Sequence, residues 1–453
     1  MIIYVPIEIF SRELDSWEFF AERASEQDVE VLVCSKRFFF SSFKFLPSGW
    51  VLLKSLVDGE YELLSDISCY HRLASIDIEG LVPSNGVSGV KLRFSQRTIE
   101  LVEWLGFWGQ KQLNDVRSVF PTINPDKFEV VGHPMLDLWK SQSKGRSATK
   151  IIFASSFPFV LPQVSSAVDD HFQTHAFGTQ FDKQLLSEIK RDRRLQKAHF
   201  EYFCKCVKSI CESDFYKTHE VILRPHPLED SEFWKKELAP YVDAGRIKID
   251  DGGLPFSEVL KNTAAVFHFN STISVQCRLK GIMAIFLLQR ENQSYQDRIS
   301  GITRAASDLF EADPLELPQW LGEVLEGPMS SRSMRLRLAE HVYDNSLNSS
   351  CDAIIRLCGQ RMSGNSFSIT KVHLSVSLGL FYGNLCKDFL KAKMGRWIGG
   401  ITKKPRYVAI GGSWDYGKKK IGPGMTLLRE SQAVKSEKIK IICKEAFLAR
   451  RYR

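Results

Sequence analysis

Two stretches of the chain carry residue types suited to holding a phosphate. The first is Val221-Ile-Leu-Arg-Pro-His-Pro-Leu-Glu-Asp230, an apolar run that stops at Arg224-Pro225-His226-Pro227. Prolines on both sides of His226 stiffen the backbone, so the run reads as a short buried strand whose polar end is held open. The second is Ala264-Ala-Val-Phe-His-Phe269, which runs into Asn270-Ser271-Thr272-Ile273-Ser274 and reads as a strand, a cap and a helix start. Free N–H groups, hydroxyls and the helix dipole at Ser271 and Thr272 favour an anion. Singly, each stretch has a plain reading as a solvated histidine or an ordinary N-cap. In this order and spacing, an imidazole and a hydroxyl-rich helix start on successive strand ends make one phosphate site.

The elements that must position them alternate regularly. Met1 to Pro6 reads as a strand, Ser11 to Ala24 as a helix with Leu14, Trp17, Phe20 or Ala21 and Ala24 at helical spacing, and Val29 to Cys34 as the next strand. A less regular stretch leads to Leu73-Ala-Ser-Ile-Asp77-Ile-Glu79-Gly80, a strand ending in acid and glycine. Thr98–Leu105 then reads as a helix, Phe107–Gly109 as a strand, Gln110–Phe120 as a helix and Lys127–Gly132 as a strand. The polar, Ser-rich Lys140–Lys150 is a hinge. A second alternation has strands at 151–154, 221–223, 246–249, 264–269 and 283–288, with helical patterns after Leu317 and from Ser333 to Arg361 that could cross back to the first domain. The expected architecture is α/β, with two Rossmann-like domains, 1–147 and 148–365, facing a cleft. A basic extension, 366–453, follows.

At 453 residues the chain can bury two cores without disulfides or metals. Its ten cysteines form no C-x-x-C pair; Cys204, Cys206 and Cys211 sit in a charged helical pattern without a fourth ligand at zinc spacing, and are expected to be reduced thiols. The start lacks a basic n-region, and no uncharged apolar run reaches the ~20 residues needed to span a bilayer, so a cytoplasmic location is expected. Residues 371–453 hold nineteen of the sixty-one Lys and Arg and five of the fifty-three Asp and Glu, so all net basic character lies in this tail. Aromatics and leucines are interleaved, as in Phe381-Tyr382, Phe389-Leu390 and Trp397-Ile398. That mixture suits an anionic membrane surface, on the inner face of the cell membrane, better than nucleic acid.

Laid out in order, Pro6-Ile-Glu8 with Arg12-Glu13-Leu14, Asp77-Ile-Glu79-Gly80, Gly109-Gln110, Val131-Gly132-His133-Pro134-Met-Leu-Asp137, Arg224-Pro225-His226-Pro227 with Glu229-Asp230, and His268-Phe-Asn270-Ser271-Thr272 form a recognisable set. Over most of residues 1–300 it resembles the bacterial surface carbohydrate biosynthesis protein family. More distantly, the acid-Gly, His-Pro and Ser-Thr trio is similar to that of bacterial sialyltransferases and Kdo transferases, which have the two-domain GT-B architecture and use CMP-activated ulosonic acids. The resemblance implies a glycosyltransferase of surface polysaccharide synthesis, taking a nucleotide-sugar donor, CMP-linked by preference, and a glycan or lipid-linked glycan acceptor. Glu79 would be the general base, His226 would bind and protonate the leaving phosphate, and Ser271 with Thr272 would anchor it. Asp77, Gly80, His133, Arg224, Pro227 and Asn270 would join them as substrate contacts. The doubled acid of the sialyltransferase motif is here Ile78-Glu79, with Asp77 one position earlier. A CDP-glycerol-type polyol-phosphate transferase, a UDP-sugar transferase or epimerase, and a non-catalytic scaffold are the rival readings. No cofactor is expected. Asp77-Ile-Glu79 and Asp250-Asp251 could recruit Mg²⁺ or Mn²⁺ with a substrate phosphate, but this reading requires no metal.

The tail generates a direct test. Each basic residue near an anionic surface is worth about 1 kcal/mol, so the full chain should co-sediment with anionic vesicles and lose that binding in high salt. A chain ending at Ile369 should not bind. Equal binding by both chains, or no preference for anionic over neutral vesicles, refutes membrane docking by the tail.

Overall fold

The computed structural model describes residues 1–8, 10–78, 90–91, 93–141, 148–157, 160, 183–226, 229–250, 252, 256–289, 301–326, 349–361 and 439–441. Of the expected site residues, Glu79, Gly80 and Pro227 lie outside this set, as do Asp251, much of the hinge and nearly all of the basic tail.

Two parallel sheets organise the chain. The first contains β1 (Ile2–Ile7), β2 (Glu30–Ser35), β3 (Trp50–Leu53), β4 (Arg72–Ile76), β5 (Trp104–Phe107) and β6 (Phe128–Val130) in the order β2-β1-β3-β4-β5-β6. The second contains β7 (Lys150–Ala154), β8 (Glu220–Arg224), β9 (Lys248–Ile249), β10 (Thr263–His268), β11 (Met283–Leu287) and β12 (Asp308–Phe310) in the order β12-β11-β10-β7-β8-β9. β13 (Ile439–Ile441), from the basic tail, runs parallel to β2 at the edge of the first sheet. All six residues of β1 and all five of β11 are buried, as expected for parallel strands covered by helices on both faces. The doubly wound α/β class and the two-domain GT-B arrangement follow from this topology.

Several elements differ from the sequence expectation. The helix expected over Thr98–Leu105 ends at Leu101, because Val102 is extended (ψ 149°), and the strand begins at Trp104 rather than Phe107. Trp104, Leu105, Phe107 and Trp108 are all buried, and so continuous a run has no period to separate helix from strand. Strand β3 and the helix Tyr61–Ser68 occupy the stretch that reads as irregular. In the second sheet the strand at 246–249 is reduced to Lys248–Ile249, and β12 is an additional short edge strand.

The topology creates one crevice in each sheet. From β1 the chain winds outward to β2 and then back to β3, and from β7 it winds through β8 and β9 before returning to β10. The winding direction therefore reverses between β1 and β3 and between β7 and β10, the places where open α/β sheets leave room for ligands at their carboxyl ends. These ends face one another. Ile78, Trp108, Met135, Leu136 and Trp139, just beyond β4, β5 and β6, form one apolar cluster with Val275, Ile302 and Ala306, beyond β10 and β11. Nearby, the Ser257 hydroxyl donates to Asp15 Oδ2 at 3.2 Å. Among the described residues, no helix is long and apolar enough to cross a membrane.

After the second sheet the chain returns to the first domain. Helix Ser350–Gln360 buries Cys351, Ala353, Ile354, Ile355 and Cys358 against Leu14, Trp17, Phe20, Ala21 and Trp50. Its start is capped by Ser349, whose Oγ accepts the Asp352 N–H at 3.1 Å, and Asp137 Oδ2 accepts the Cys351 N–H at 2.9 Å. At the far end the Trp50 indole donates to the Cys358 carbonyl at 3.0 Å, and Arg361 donates to the Glu103 carbonyl at 2.7 Å. Ile354 is fully buried here, so Ile354→Ala should cost about 2–5 kcal/mol. Urea unfolding reads this as a lower midpoint; an unchanged midpoint would mean that the returning helix contributes nothing to the first domain.

Candidate functional site

The order β10-β7-β8 sets three consecutive strand ends side by side in the second domain. Strands lie about 4.8 Å apart, so the ends carrying His226 and Ser271 are about 10 Å apart with the end of β7 between them. That middle end is Ser155-Ser156-Phe157, which sequence reasoning missed. Its signal was a pair of hydroxyls directly after the first strand of the second alternation.

Each of these ends is tightly fixed. At β8, Arg224 NH1 pairs with Asp250 Oδ2 at 2.6 Å and its guanidinium lies 5.3 Å from the centre of the Phe256 ring. Arg224 and Asp250 are thereby committed to one another, and Asp250 Oδ1 also accepts the Gly252 N–H at 2.9 Å. His226 is half-buried, and its carbonyl accepts the Glu229 N–H at 2.8 Å. At β7, the Ser155 N–H donates to the Arg224 carbonyl at 3.0 Å, the Ser156 hydroxyl donates to the Phe269 carbonyl, and Phe157 stacks on Phe269 at 5.2 Å.

The third end is held by a relay. His268 is fully buried, and its Nδ1 accepts the Ser271 N–H at 3.4 Å. The proton is therefore on Nε2, which donates to Ser307 Oγ at 2.8 Å; Ser307 donates onward to the Thr303 carbonyl at 2.6 Å. Thr303 Oγ1 donates to Asn270 Oδ1 at 2.9 Å, holding Asn270 at a left-handed φ of 44°. Ser271 Oγ accepts the Ile273 N–H at 3.4 Å, and Thr272 takes the N-cap position of helix Ile273–Leu279 without a side-chain cap bond. The hydroxyl pair thus sits at a helix start as expected, but it is Ser271 that turns inward to the backbone. Asn270 is used in part to tie β10 to helix Gly301–Ala305.

Across the cleft, Asp77 is 2% exposed and paired with Arg93, whose Nε lies 3.1 Å from Oδ1; its carbonyl accepts the Trp108 indole N–H at 2.5 Å. His133 is fully buried, stacked 4.5 Å from Trp108 and edge-on to Trp17, with Nδ1 accepting the Met135 N–H at 3.1 Å. Gly132 turns into it at φ 75°. In this structure Asp77 and His133 are both enclosed and help hold the first domain together. The crevice between β1 and β3 instead holds Glu8 and Lys54 as an ion pair, with buried Glu13 Oε1 3.8 Å from the Lys54 amine and Glu13 Oε2 accepting the Glu8 N–H at 3.3 Å. Glu8 and Glu13 stood in the recognised set; Lys54 was hidden with the unrecognised strand β3. Among the described residues, no group of three His, Cys, Asp or Glu side chains could hold a metal ion. Cys204, Cys206 and Cys211 are buried in the core of the second domain, where burial pushes their thiols up.

No protein-family model matches the chain, and no curated protein matches it in sequence. Solved structures are similar in shape. An S. aureus MnaA structure with UDP has 10% identity, covering 82% of this chain and 100% of that one, at a TM-score of 0.47. The UDP-GlcNAc 2-epimerase of Neisseria meningitidis bound to UDP-GlcNAc has 10% identity, covering 79% and 98%, at 0.42. The wall teichoic acid polymerase TagF has 9% identity, covering 80% and 88%, at 0.42. At such identities and scores, none of them assigns a role to a residue of this chain.

The relay at β10 has a consequence for stability. Burial pushes the His268 imidazole down to about 3, so between that value and the ordinary ~6.5 the unfolded chain binds a proton that the folded chain does not. Stability should therefore fall as pH drops from 6.5 toward 3. Buried His71, also pushed down, adds a loss of the same sign. Chemical denaturation at pH 7 and pH 5 should show a higher midpoint at pH 7, and His268→Gln should shrink the difference. A difference unaltered by that substitution would show that His268 is not a source of it.

Proposed function

We propose that the protein is a nucleotide-sugar-dependent glycosyltransferase of surface polysaccharide (capsule, lipopolysaccharide or O-antigen) biosynthesis. One observation carries this reading: the strand order sets the strand ends that carry His226, Ser155-Ser156 and Ser271-Thr272 on one carboxyl edge, at and beside the crevice of the second sheet and opposite the first domain. A donor phosphate would lie along this edge. His226 would meet its charge and protonate it on departure, and Ser271 with Thr272 would anchor it. The acceptor would enter from the first domain, where Glu79 would take the proton from the attacking hydroxyl. The favoured donor is a CMP-linked ulosonic acid. The protein would work on the inner face of the cell membrane, held there by the basic tail.

The same groups would hold the diphosphate of a CDP-glycerol-type donor, whose transfer attacks phosphorus rather than carbon. A phosphodiester in the product distinguishes that reaction from glycosyl transfer.

Nucleotide ranking by thermal shift is the first test, since a ligand bound only by the folded chain raises its apparent stability. CMP or CDP should stabilise more than UDP or GDP, and His226→Ala should abolish the effect while the chain stays folded. Glu79→Gln should keep donor binding and lower turnover by ~10²–10⁴. A clear preference for UDP would remove the CMP donor, and full activity of His226→Ala would remove His226 from the site.

A further inference from the structure

Glu229 is 8% exposed, and the roles assigned so far make no use of its side chain. Its Oε1 accepts the Phe157 N–H at 2.6 Å and its Oε2 accepts the Trp234 indole N–H at 2.8 Å. The Ser155 hydroxyl and the His226 N–H lie near enough to favour its ionised form, although the Ser155 hydroxyl makes no hydrogen bond of full geometry. The Glu229 N–H in turn donates to the His226 carbonyl at 2.8 Å. The Glu229 N–H thus holds the His226 carbonyl while its carboxylate joins that turn to Phe157 at the neighbouring strand end.

We propose that Glu229 is the positioning residue of the phosphate site, fixing where the His226 ring stands relative to the β7 end and biasing that ring toward its protonated form. The proposal rests on the reading of His226 as a phosphate ligand. The chemistry of the donor set selects the residue type. A carboxylate offers acceptors only, so it can meet N–H groups on both oxygens at once. A glutamine in its place must turn its NH₂ toward either the Phe157 N–H or the Trp234 N–H, leaving one buried donor unmet. Negative charge close to the His226 backbone also favours an imidazolium, the form that pairs with a phosphate. Burial pushes the Glu229 carboxyl above the ordinary carboxylate range, against the opposing pull of its donors.

The test follows the His226 ring itself, by NMR titration of the folded full chain labelled at histidine, with the resonance identified by its loss in His226→Ala. Glu229→Gln should lower the His226 titration midpoint by about one pH unit and weaken CMP binding at pH 7 about tenfold, since an imidazole one unit lower is about ten times less protonated there. Ser155→Ala keeps the carboxylate and removes only the hydroxyl; it should move the midpoint in the same direction by less. If Glu229→Gln does not fold, Ser155→Ala decides alone. An unchanged His226 midpoint in whichever variant folds overturns the positioning role. Failure of the unaltered chain to bind CMP would count against the donor reading only, because the titration needs no ligand.

Discussion

The apolar contact between the domains is the constraint on which the site depends. Met135, Leu136 and Trp139 on helix Pro134–Ser141 pack with Val275, Ile302 and Ala306. The two helices that meet there begin at His133-Pro134 and just after Asn270-Ser271-Thr272, so this one interface registers a strand end of the first sheet against a strand end of the second. Trp108 belongs to the same cluster and is also the face on which His133 stacks and the donor to the Asp77 carbonyl. Packing at the interface and the placing of polar groups on either side of it are therefore one problem.

Ionisable groups close to the cleft are handled in two ways. On the first sheet they are met by opposite charge: Asp77 by Arg93, Glu8 by Lys54, and Glu60 by Lys36 at 2.5 Å. The second sheet has such a pair in Arg224 and Asp250, but its buried His268 is met by a hydroxyl and a backbone N–H, and its buried Glu229 by an indole and a backbone N–H. Neutral partners fix the position of a group without cancelling its charge. They suit an edge proposed to stabilise a departing phosphate.

The sequence revealed elements wherever an apolar run ended in a sharp polar break. Val221–Leu223 before Arg-Pro-His-Pro and Ala264–His268 before Asn-Ser-Thr are of this kind, and both strands are where the pattern put them. It failed where burial is uniform, as at Trp104–Phe107, or where a strand is only four residues long, as at Trp50–Leu53. Adjacency was harder still. Nothing local to Ile151–Ala154 says that its end falls between those of β8 and β10, because strand order is decided by crossovers that span the whole domain. Ser155 and Ser156 were missed for that reason. The depth of His133 and Asp77 was not legible either, because a motif gives residue type but not burial, and both lie beneath the surface.

The returning helix Ser350–Gln360 makes the second domain, in effect, an insertion within the first. The chain leaves the first sheet after β6, builds a complete second sheet, and only then supplies the segment that covers Trp50, Phe20 and Ala21. On a ribosome, where domains generally fold in the order in which they emerge, this order is inverted. The domain begun first is the one finished last, and its partly bare apolar face must wait while some two hundred further residues are made.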